Sequence, residues 1–521
     1  MRTNPAEKAC HTCRRRRLKC DRTVPACQKC ARTGQECLGY GKLFLWNHGV
    51  ASRGKMMGKT YPVPAARTDE GREVRFGQRE RCIQRQMLDY DETMVSLHVP
   101  LLDPLYQGLD HAARQYLFHF ATTLCSELVI SDGTDTNPFR NLVPLCRDHP
   151  ILLHAIIANA ALHVSCLHHR ARDHPRPDNA VDGLWPSVPT EPCSRAMVDA
   201  LSAKHKALVL LRQALEDIPN IDADLVVTVV HLFITFELIS PGEDEWRAHV
   251  QGALRLISYL QTLESQHVSP AALIRDRITS DCLTYYVLGC TLMNTGTLSD
   301  PFLLPGNITA ALTRAEAASY LSLPTPLLQI LFKACELSNL VSVATMTGAA
   351  DCTSLLNQAS TLLAAAQSFD VNAWASSLEG TPSSSRTLSR IHTALAHQNA
   401  VRIYICRSVD QISSSSAVGE DTEALVTSII THLSLVGVTD PIFKATSWPT
   451  FIAGAETDNP VYRRWAVERL REFWHLIPWG YLKTAVEVMQ TTWRLRDGGG
   501  EIEKGSWIQQ LKGLERYWLI A

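Results

Sequence analysis

The sequence predicts three consecutive parts: a small metal-bound domain at residues 1–40, a flexible basic linker at 41–104, and a large all-α domain at 105–521. Three observations support this division. Six of the 16 cysteines lie between residues 10 and 37, and the stretch from residue 38 to about 79 is rich in Gly, Arg and Lys. From about residue 110 onward, apolar residues recur with helical spacing and strand-like alternation is scarce.

The six N-terminal cysteines form two equal halves. Each half has the spacing Cys-x2-Cys-x6-Cys, and the second half repeats the first after 17 residues. Two tetrahedral Zn²⁺ ions need eight ligand positions, so six thiolates suffice if two sulfurs are each shared by both metals. We therefore predict a cluster of two Zn²⁺ per chain. The predicted ligands are Cys10, Cys13, Cys20, Cys27, Cys30 and Cys37.

Two other arrangements of these cysteines are conceivable. A single zinc site built from Cys10, Cys13, Cys27 and Cys30 would leave Cys20 and Cys37 without a role, although they hold identical positions in the two halves. Disulfides are disfavoured, because no signal for an oxidising compartment precedes the cluster. The ten further cysteines are scattered and predict buried thiols in a reducing compartment.

The segment around the cysteines is strongly basic. Up to residue 59, 14 Lys and Arg stand against three Asp and Glu, which gives a net charge of about +11, and the rest of the chain carries about −12. Residues 14–17 are all arginine, followed by Leu18 and Lys19. Two Zn²⁺ and six thiolates carry only about −2, so these bases exceed what charge compensation requires. The excess predicts binding to double-stranded DNA.

Residues 9–37 resemble the fungal zinc binuclear cluster (Zn2Cys6) transcription factors. The resemblance rests on the cysteine spacings, the basic stretch after Cys13, and Pro25, two residues before the fourth cysteine. It implies that Cys10 and Cys27 bridge both metals and that the other four cysteines each bind one metal. Pro25 would then shape the loop between the two halves.

The same resemblance implies that the domain reads CGG-type half-sites in the major groove. The family places its base-reading residues two and one positions before an apolar residue, which here are Arg16 and Arg17 before Leu18. The family often has lysine at these positions, whereas arginine suits bidentate contact with guanine. Phosphate contacts are expected from the other bases: Arg14, Arg15, Lys19, Arg22 and Lys29.

Between the two domains, one further pattern predicts a helix. Ile83, Met87, Tyr90, Met94 and Leu97 follow one another at spacings of four and three before Pro100. This heptad-like stripe covers about two repeats, fewer than a coiled coil usually needs. It favours a helix packed on its own domain, and a short dimerisation helix remains the alternative.

The predicted helices of the large domain have recognisable ends. One begins near Ala196, presents Leu208, Leu211 and Leu215 on one face, and stops before Pro219. The next begins after Asp222 as N-cap and is apolar almost all round up to residue 239, which predicts burial. Further helices are predicted at 246–257, 327–343, 387–407 and 462–474. Mobile loops are predicted at 170–195, 380–385, 413–416 and 498–500.

Residues 137–257 also resemble the fungal-specific transcription factor domain. The landmarks are residues 137–140 (Asn-Pro-Phe-Arg), 205–208 (His-Lys-Ala-Leu) and 246–249 (Trp-Arg-Ala-His). We expect these landmarks to cap and pack helices rather than to bind a ligand. By this resemblance the domain is regulatory.

Together these patterns predict a sequence-specific, zinc-dependent transcription regulator of RNA polymerase II genes in the nucleus, and not an enzyme. Residues 49–55 have the glycine and lysine spacing of a phosphate-binding loop, but Met56 replaces the Ser or Thr that such a loop requires. The longest apolar stretch, 225–239, is too short to span a membrane. Homodimers or heterodimers, transcriptional co-regulators and a small-molecule effector remain open partners. The rivals are a zinc-knot protein-interaction scaffold without sequence-specific DNA binding, and a helical enzyme relic that binds a small molecule.

Overall fold

The computed structural model describes two compact units, one within residues Met1–Val99 and the other within Pro100–Ala521. The described residues are 8–23, 26–33, 37, 108–130, 132, 137–172, 195–216, 222–241, 243, 245–262, 274–293, 308–317, 319, 321–347, 352–378, 384–412, 420–497 and 506–521. The predicted linker, the stripe from Ile83 to Leu97, Pro25 and most of the predicted loops lie outside these residues.

The described residues of the N-terminal unit contain two short helices, α1 (His11–Arg15) and α2 (Gln28–Arg32). Each begins directly after the first cysteine of its half of the cysteine pattern. Helices of five residues are not stable by themselves in water. Their stability must therefore come from the cysteine cluster, which forms the buried core of the described residues here.

The described residues of the second unit are mostly helical and form no strand, which confirms the predicted all-α domain. Its helices are α3 (His111–His119), α4 (Cys125–Glu127), α5 (Leu142–Leu145), α6 (Pro150–Arg172), α7 (Arg195–Leu215), α8 (Ala223–Ile239), α9 (Trp246–Thr262), α10 (Arg275–Cys290), α11 (Ile308–Glu316), α12 (Thr325–Thr347), α13 (Cys352–Ser368), α14 (Val371–Ser377), α15 (Ser384–Val409), α16 (Thr422–Ser434), α17 (Ser447–Glu456), α18 (Pro460–Leu476), α19 (Tyr481–Asp497) and α20 (Trp507–Lys512). A π-helical turn (Phe120–Leu124) follows α3, and 3-10 turns (Pro138–Asn141 and Pro441–Thr446) precede α5 and α17.

Helix α8 lies at the centre of this unit. All of its residues are buried, as the apolar pattern predicts, and it packs against α6, α9 and α10. The carboxylate of Asp222 accepts hydrogen bonds from the amides of Asp224 (3.1 Å) and Leu225 (3.2 Å), which confirms it as the N-cap. A helix buried on all sides is stabilised mainly by its surroundings, since each buried Val, Leu, Ile or Phe contributes about 1.5–3 kcal/mol.

Helix α7 packs on α6 through an unexpected face. Its buried side chains are Ala196, Ala200, Ala203, Ala207 and Leu211. Small side chains let two helix backbones approach closely, so alanines face α6 and the larger leucines are displaced to the flanks. The three predicted leucines lie along one side of the helix, but only Leu211 is buried, since Leu208 is half-buried and Leu215 is 40% exposed.

Two helices are long and apolar enough to resemble membrane spans. They are Pro150–Arg170 within α6 and Thr325–Thr347, and 61% and 67% of their apolar windows are buried within the fold. A core helix of a folded domain has the same length and composition. Seven of the body's described cysteines are buried, as predicted for the scattered thiols. Cys352 is exposed, contrary to that prediction.

Candidate metal centre and nucleic-acid interface

The six cysteine sulfurs of the N-terminal unit form two overlapping groups of four. One group contains Cys10, Cys13, Cys20 and Cys27, and the other contains Cys10, Cys27, Cys30 and Cys37. Within each group all sulfurs lie within 4.8 Å of one another. Cys10 and Cys27 belong to both groups, so six thiols offer eight ligand positions around two centres.

The spacing of the sulfurs fits zinc. The Sγ atom of Cys27 lies 3.6 Å from that of Cys10 and 3.7 Å from that of Cys13, and the Sγ atoms of Cys10 and Cys30 are 3.8 Å apart. Zn–S bonds of about 2.3 Å place the sulfurs of a regular tetrahedron about 3.8 Å apart. None of these six cysteines forms a disulfide, which agrees with metal ligation.

Backbone amides support the sulfurs in the same way in both halves. The amide of Cys10 donates to Sγ of Cys20 and that of Cys27 donates to Sγ of Cys37, both at 3.4 Å. The amide of Cys13 donates to Sγ of Cys10 at 3.4 Å, and that of Cys30 donates to Sγ of Cys27 at 3.3 Å. The repeated spacing in the sequence therefore becomes a repeated local geometry, in which N–H groups stabilise thiolate charge.

The thiols differ in how readily they lose a proton. Burial raises the pKa of Cys10 to about 12 and also raises that of Cys13. Burial acts on Cys20 in the same direction, but the amides of Cys10 and Arg22 outweigh it and lower the pKa of Cys20 to about 7. Because a metal ligand must be a thiolate, metal binding at this centre releases protons.

Asp21 joins the two halves, a role that the sequence pattern did not reveal. Its carboxylate accepts hydrogen bonds from the amides of Gln28 (3.0 Å) and Lys29 (2.9 Å) and from the hydroxyl of Thr23 (2.6 Å). These bonds hold its pKa well below its usual range. An acidic residue within a basic segment was the feature that could have indicated this role, since Asp is a favoured partner for the free amides at a helix start.

The turn after α1 presents the predicted base-reading residues. The amide of Leu18 donates to the carbonyl of Cys13 (2.9 Å) and the amide of Arg17 donates to the carbonyl of Arg14 (3.2 Å), the pattern of a Schellman C-cap. Arg17 has φ 54°, a left-handed conformation that favours glycine. The matching sequence position in the second half, 17 residues on, is Gly34.

Six of the seven residues predicted to contact DNA have exposed side chains. The side chains of Arg14, Arg16, Arg17, Lys19, Arg22 and Lys29 are exposed, and Arg15 belongs to α1. Residues 14–19 form the second half of α1 and its C-terminal turn, which is anchored by the buried Cys13. Lys29 lies on α2 and Arg22 between the two helices. The cluster thus carries a dense positive surface on a turn that its own sulfurs hold in place.

The landmarks of the helical body are structural, as expected. Asn137 accepts a hydrogen bond from the amide of Phe139 (3.1 Å) and donates to the carbonyl of Cys125 (2.8 Å). Arg140 forms two 2.6 Å hydrogen bonds with Asp132. Trp246 is buried, and its indole donates to the carbonyl of Tyr517 (2.9 Å). These residues cap and connect helices.

A groove of about 700 Å³ lies along α19 in the body. Its charged lining contains three arginines (Arg463, Arg494 and Arg516) and three acids (Glu243, Glu487 and Asp497). Two of the arginines pair with two of the acids, Arg463 with Asp497 and Arg516 with Glu243, both at 2.7 Å. The balanced charges give no preference for an anionic or a cationic ligand.

Comparison with known proteins finds a matching family for each of the two units. Residues 8–46 match the family described as fungal Zn(2)-Cys(6) binuclear cluster domain, and residues 115–520 match that described as fungal specific transcription factor domain. The acriflavine sensitivity control protein of Neurospora crassa is 30% identical over 99% of this chain and 97% of its own length. A transcriptional regulatory protein of Schizosaccharomyces pombe is 61% identical over 31 residues, 6% of each chain. No solved structure matches the chain.

The cluster domain of this family holds two zinc ions through six cysteines, and the six sulfurs described above fit that composition. The second domain covers most of the remaining chain and is characteristic of transcription factors, which are not enzymes. The protein therefore belongs to the fungal Zn(2)-Cys(6) binuclear cluster transcription factors, and it is a zinc-containing, DNA-binding transcription regulator.

Proposed function

We propose that the N-terminal unit reads CGG-type half-sites in the DNA major groove and so regulates RNA polymerase II genes in the nucleus. In this assignment Cys10 and Cys27 bridge two Zn²⁺ ions, Cys13 and Cys20 complete one coordination sphere, and Cys30 and Cys37 complete the other. The observation that carries the proposal is the pair of sulfurs common to both groups of four. Zinc supplies the folding energy that two five-residue helices lack.

The turn after α1 is the proposed reading element. Arg16 and Arg17 contact base edges, because an exposed arginine can form two parallel hydrogen bonds with guanine O6 and N7. The remaining bases position the domain on phosphates: Arg14, Arg15, Lys19, Arg22 and Lys29. Phosphate contacts fix the register of the domain, and base contacts decide the sequence.

Binding of the full chain to two duplexes tests the assignment of Arg17. One duplex contains a CGG triplet and the other a scrambled triplet of the same composition. Arg17→Ala should cost roughly 1–3 kcal/mol on the first duplex and much less on the second, because only the base contact depends on sequence. Arg32→Ala, an exposed arginine of α2 outside the predicted contacts, is the matched control and should affect both duplexes alike. Equal losses for Arg17→Ala on both duplexes contradict the base contact.

The salt dependence of binding tests the phosphate contacts. Lys29→Ala should weaken binding to both duplexes equally and reduce the slope of log K against log salt by about 1. A protein-docking scaffold behaves differently: selection from random duplex pools would return no recurrent motif. Recovery of a short recurrent motif supports DNA reading and excludes the scaffold.

The name of the Neurospora crassa relative suggests a biological context. That protein controls acriflavine sensitivity, and the present chain is similar to it over nearly its full length. We propose that this chain likewise controls tolerance to acriflavine. Deletion of its gene in the source fungus should change the acriflavine concentration that halts growth, and a Cys27→Ser allele should behave like the deletion.

A further inference from the structure

Two histidines of the helical body, His392 on α15 and His432 on α16, face each other across neighbouring helices. Their Nδ1 atoms lie 3.1 Å apart, and their ring centroids are 5.3 Å apart. Both residues are half-buried, so ions in solution can reach the rings. Histidine is the commonest metal ligand among side chains, and two ring nitrogens that face the same point can bind one ion together.

The separation of the two nitrogens suits a divalent transition metal ion. An ion at about 2.0–2.1 Å from each nitrogen would give an N–metal–N angle of about 100° across the 3.1 Å gap. This angle lies between the right angle of square or octahedral coordination and the tetrahedral angle, so Ni²⁺, Cu²⁺ and Zn²⁺ all fit. Imidazole nitrogen selects these ions over Mg²⁺ and Ca²⁺, which prefer oxygen ligands.

The two helices hold this geometry without an ion. Asn399 on α15 donates to the hydroxyl of Ser428 on α16 (3.0 Å), which fixes the helices on one side of the histidines. On the other side, Ser389 donates to Asp440, the N-cap of the 3-10 turn before α17. The histidines therefore lie between two hydrogen-bonded contacts of antiparallel helices. A site that is already ordered costs little further entropy when an ion binds.

A hydrogen bond between the rings is the arrangement without metal. One neutral imidazole donates its Nδ1–H to the other, since two protonated rings at this distance would repel each other. When an ion binds, the donor ring carries its proton on Nε2 instead, which leaves both Nδ1 lone pairs for the metal. This change of tautomer releases no net proton, in contrast to metal binding by the cysteine thiols.

We propose that His392 and His432 form a metal site, separate from the cysteine cluster, that takes one divalent transition metal ion and links α15 to α16. Among the described residues, no third His, Cys, Asp or Glu completes a group of three with them. Water therefore supplies the remaining ligands, and the ion is exchangeable. The site uses only residues of the helical body, so it is independent of the function proposed above.

Titration of the zinc-loaded full chain with Ni²⁺, after removal of any affinity tag, tests the proposal. Ni²⁺ is the probe because, unlike Cu²⁺, it does not oxidise the thiolates of the cluster. Isothermal titration calorimetry at about pH 8, where histidine is neutral, should show one bound Ni²⁺ in addition to the zinc. His392→Ala and His432→Ala should each weaken this binding about tenfold or more, because only one imidazole remains.

The matched control is His205→Ala, which removes an exposed histidine of another helix, α7, and should leave Ni²⁺ binding unchanged. The cysteine cluster is the same in all variants, so exchange of its zinc contributes equally to every titration. Circular dichroism without added metal establishes that each variant is folded. His432→Gln retains most of the side-chain volume and replaces the alanine variant if that one does not fold.

Thermal melting tests whether the ion links the two helices. An ion that binds only the folded body raises its melting temperature, so Ni²⁺ should stabilise the wild-type chain and the His205→Ala variant but neither site variant. Mg²⁺ should stabilise none of them. Absence of Ni²⁺ binding beyond the cluster overturns the proposal. Binding or stabilisation that persists unchanged in the His392 and His432 variants also overturns it, because the ion would then lie elsewhere.

Discussion

The sulfur atoms of Cys10 and Cys27 lie 3.6 Å apart, and each belongs to both groups of four sulfurs that fit a tetrahedral metal ion. Removing Cys27 therefore takes a ligand from both centres, whereas removing Cys37 takes one from a single centre. Cys27→Ser should lose both zinc ions, and Cys37→Ser should retain about one. Native mass spectrometry of the full chain gives the metal count, and equal losses in the two variants would contradict the shared ligand.

Two substitutions of Arg17 distinguish the effect of its strained backbone from the effect of its side chain. Its left-handed backbone costs roughly 1–2 kcal/mol relative to the right-handed region, and glycine avoids that cost. Arg17→Gly and Arg17→Ala both lack the guanidinium and should lose DNA preference to the same extent. Arg17→Gly should hold zinc about fivefold more tightly than Arg17→Ala in competition with a chelator, because folding and metal binding are linked. Tighter zinc binding by the alanine variant would refute the strain argument.

Gly289 on α10 lies directly against the indole of Trp246 on α9. An added Cβ at residue 289 would collide with that ring. Trp246 is itself buried, and its indole donates a hydrogen bond to the carbonyl of Tyr517. Gly289→Ala should therefore destabilise the body by about 1–3 kcal/mol, the usual cost of overpacking. Urea unfolding followed by tryptophan fluorescence measures the change. Gly252→Ala, where an added Cβ meets open space, is the control and should leave the unfolding midpoint unchanged or higher.

Lys512 makes the stability of the helical body depend on pH. Its ammonium group donates to Ser338 Oγ (2.9 Å) and Asn339 Oδ1 (3.1 Å), and burial lowers its pKa to about 8. Below pH 8 the folded chain buries a charge that the unfolded chain exposes, which costs about 3 kcal/mol. Between pH 8 and the unfolded pKa near 10.5, only the unfolded chain keeps the proton, so this cost disappears as the pH rises.

Lys512→Met should therefore be more stable than the wild-type chain at pH 7, and its advantage should shrink between pH 8 and pH 10. Over this range the difference between variant and wild type reports mainly on Lys512, because burial raises the pKa of the nearby Cys335 to about 11 and that of Cys290 well above its usual value. The urea midpoint at each pH is the measurement. An advantage that stays constant with pH would show that the Lys512 charge is not the cause.

Several structural details follow directly from sequence pattern. The cap at Asp222, the burial of α8 and the start of α9 at Trp246 are confirmed, because a cap and an apolar period act within one helix. The pattern of α7 indicates its leucine-lined side but not that the alanines form most of the buried face, since that choice depends on how closely α6 approaches. The exposure of Cys352 could not be predicted for a similar reason, because the residue type does not determine whether another helix covers it.

The amino-acid sequence alone determined the chemistry of the N-terminal unit, because metal ligands at fixed spacing and a run of arginines are local properties of the chain. It also determined the helical class of the body, since apolar periodicity is local as well. Only the tertiary structure decided that Cys10 and Cys27 stand between two groups of sulfurs, that Asp21 ties one half to the other, and that α15 and α16 bring two histidines into contact. These are distances between residues far apart in the chain, and the spacing of residues along the sequence does not fix them.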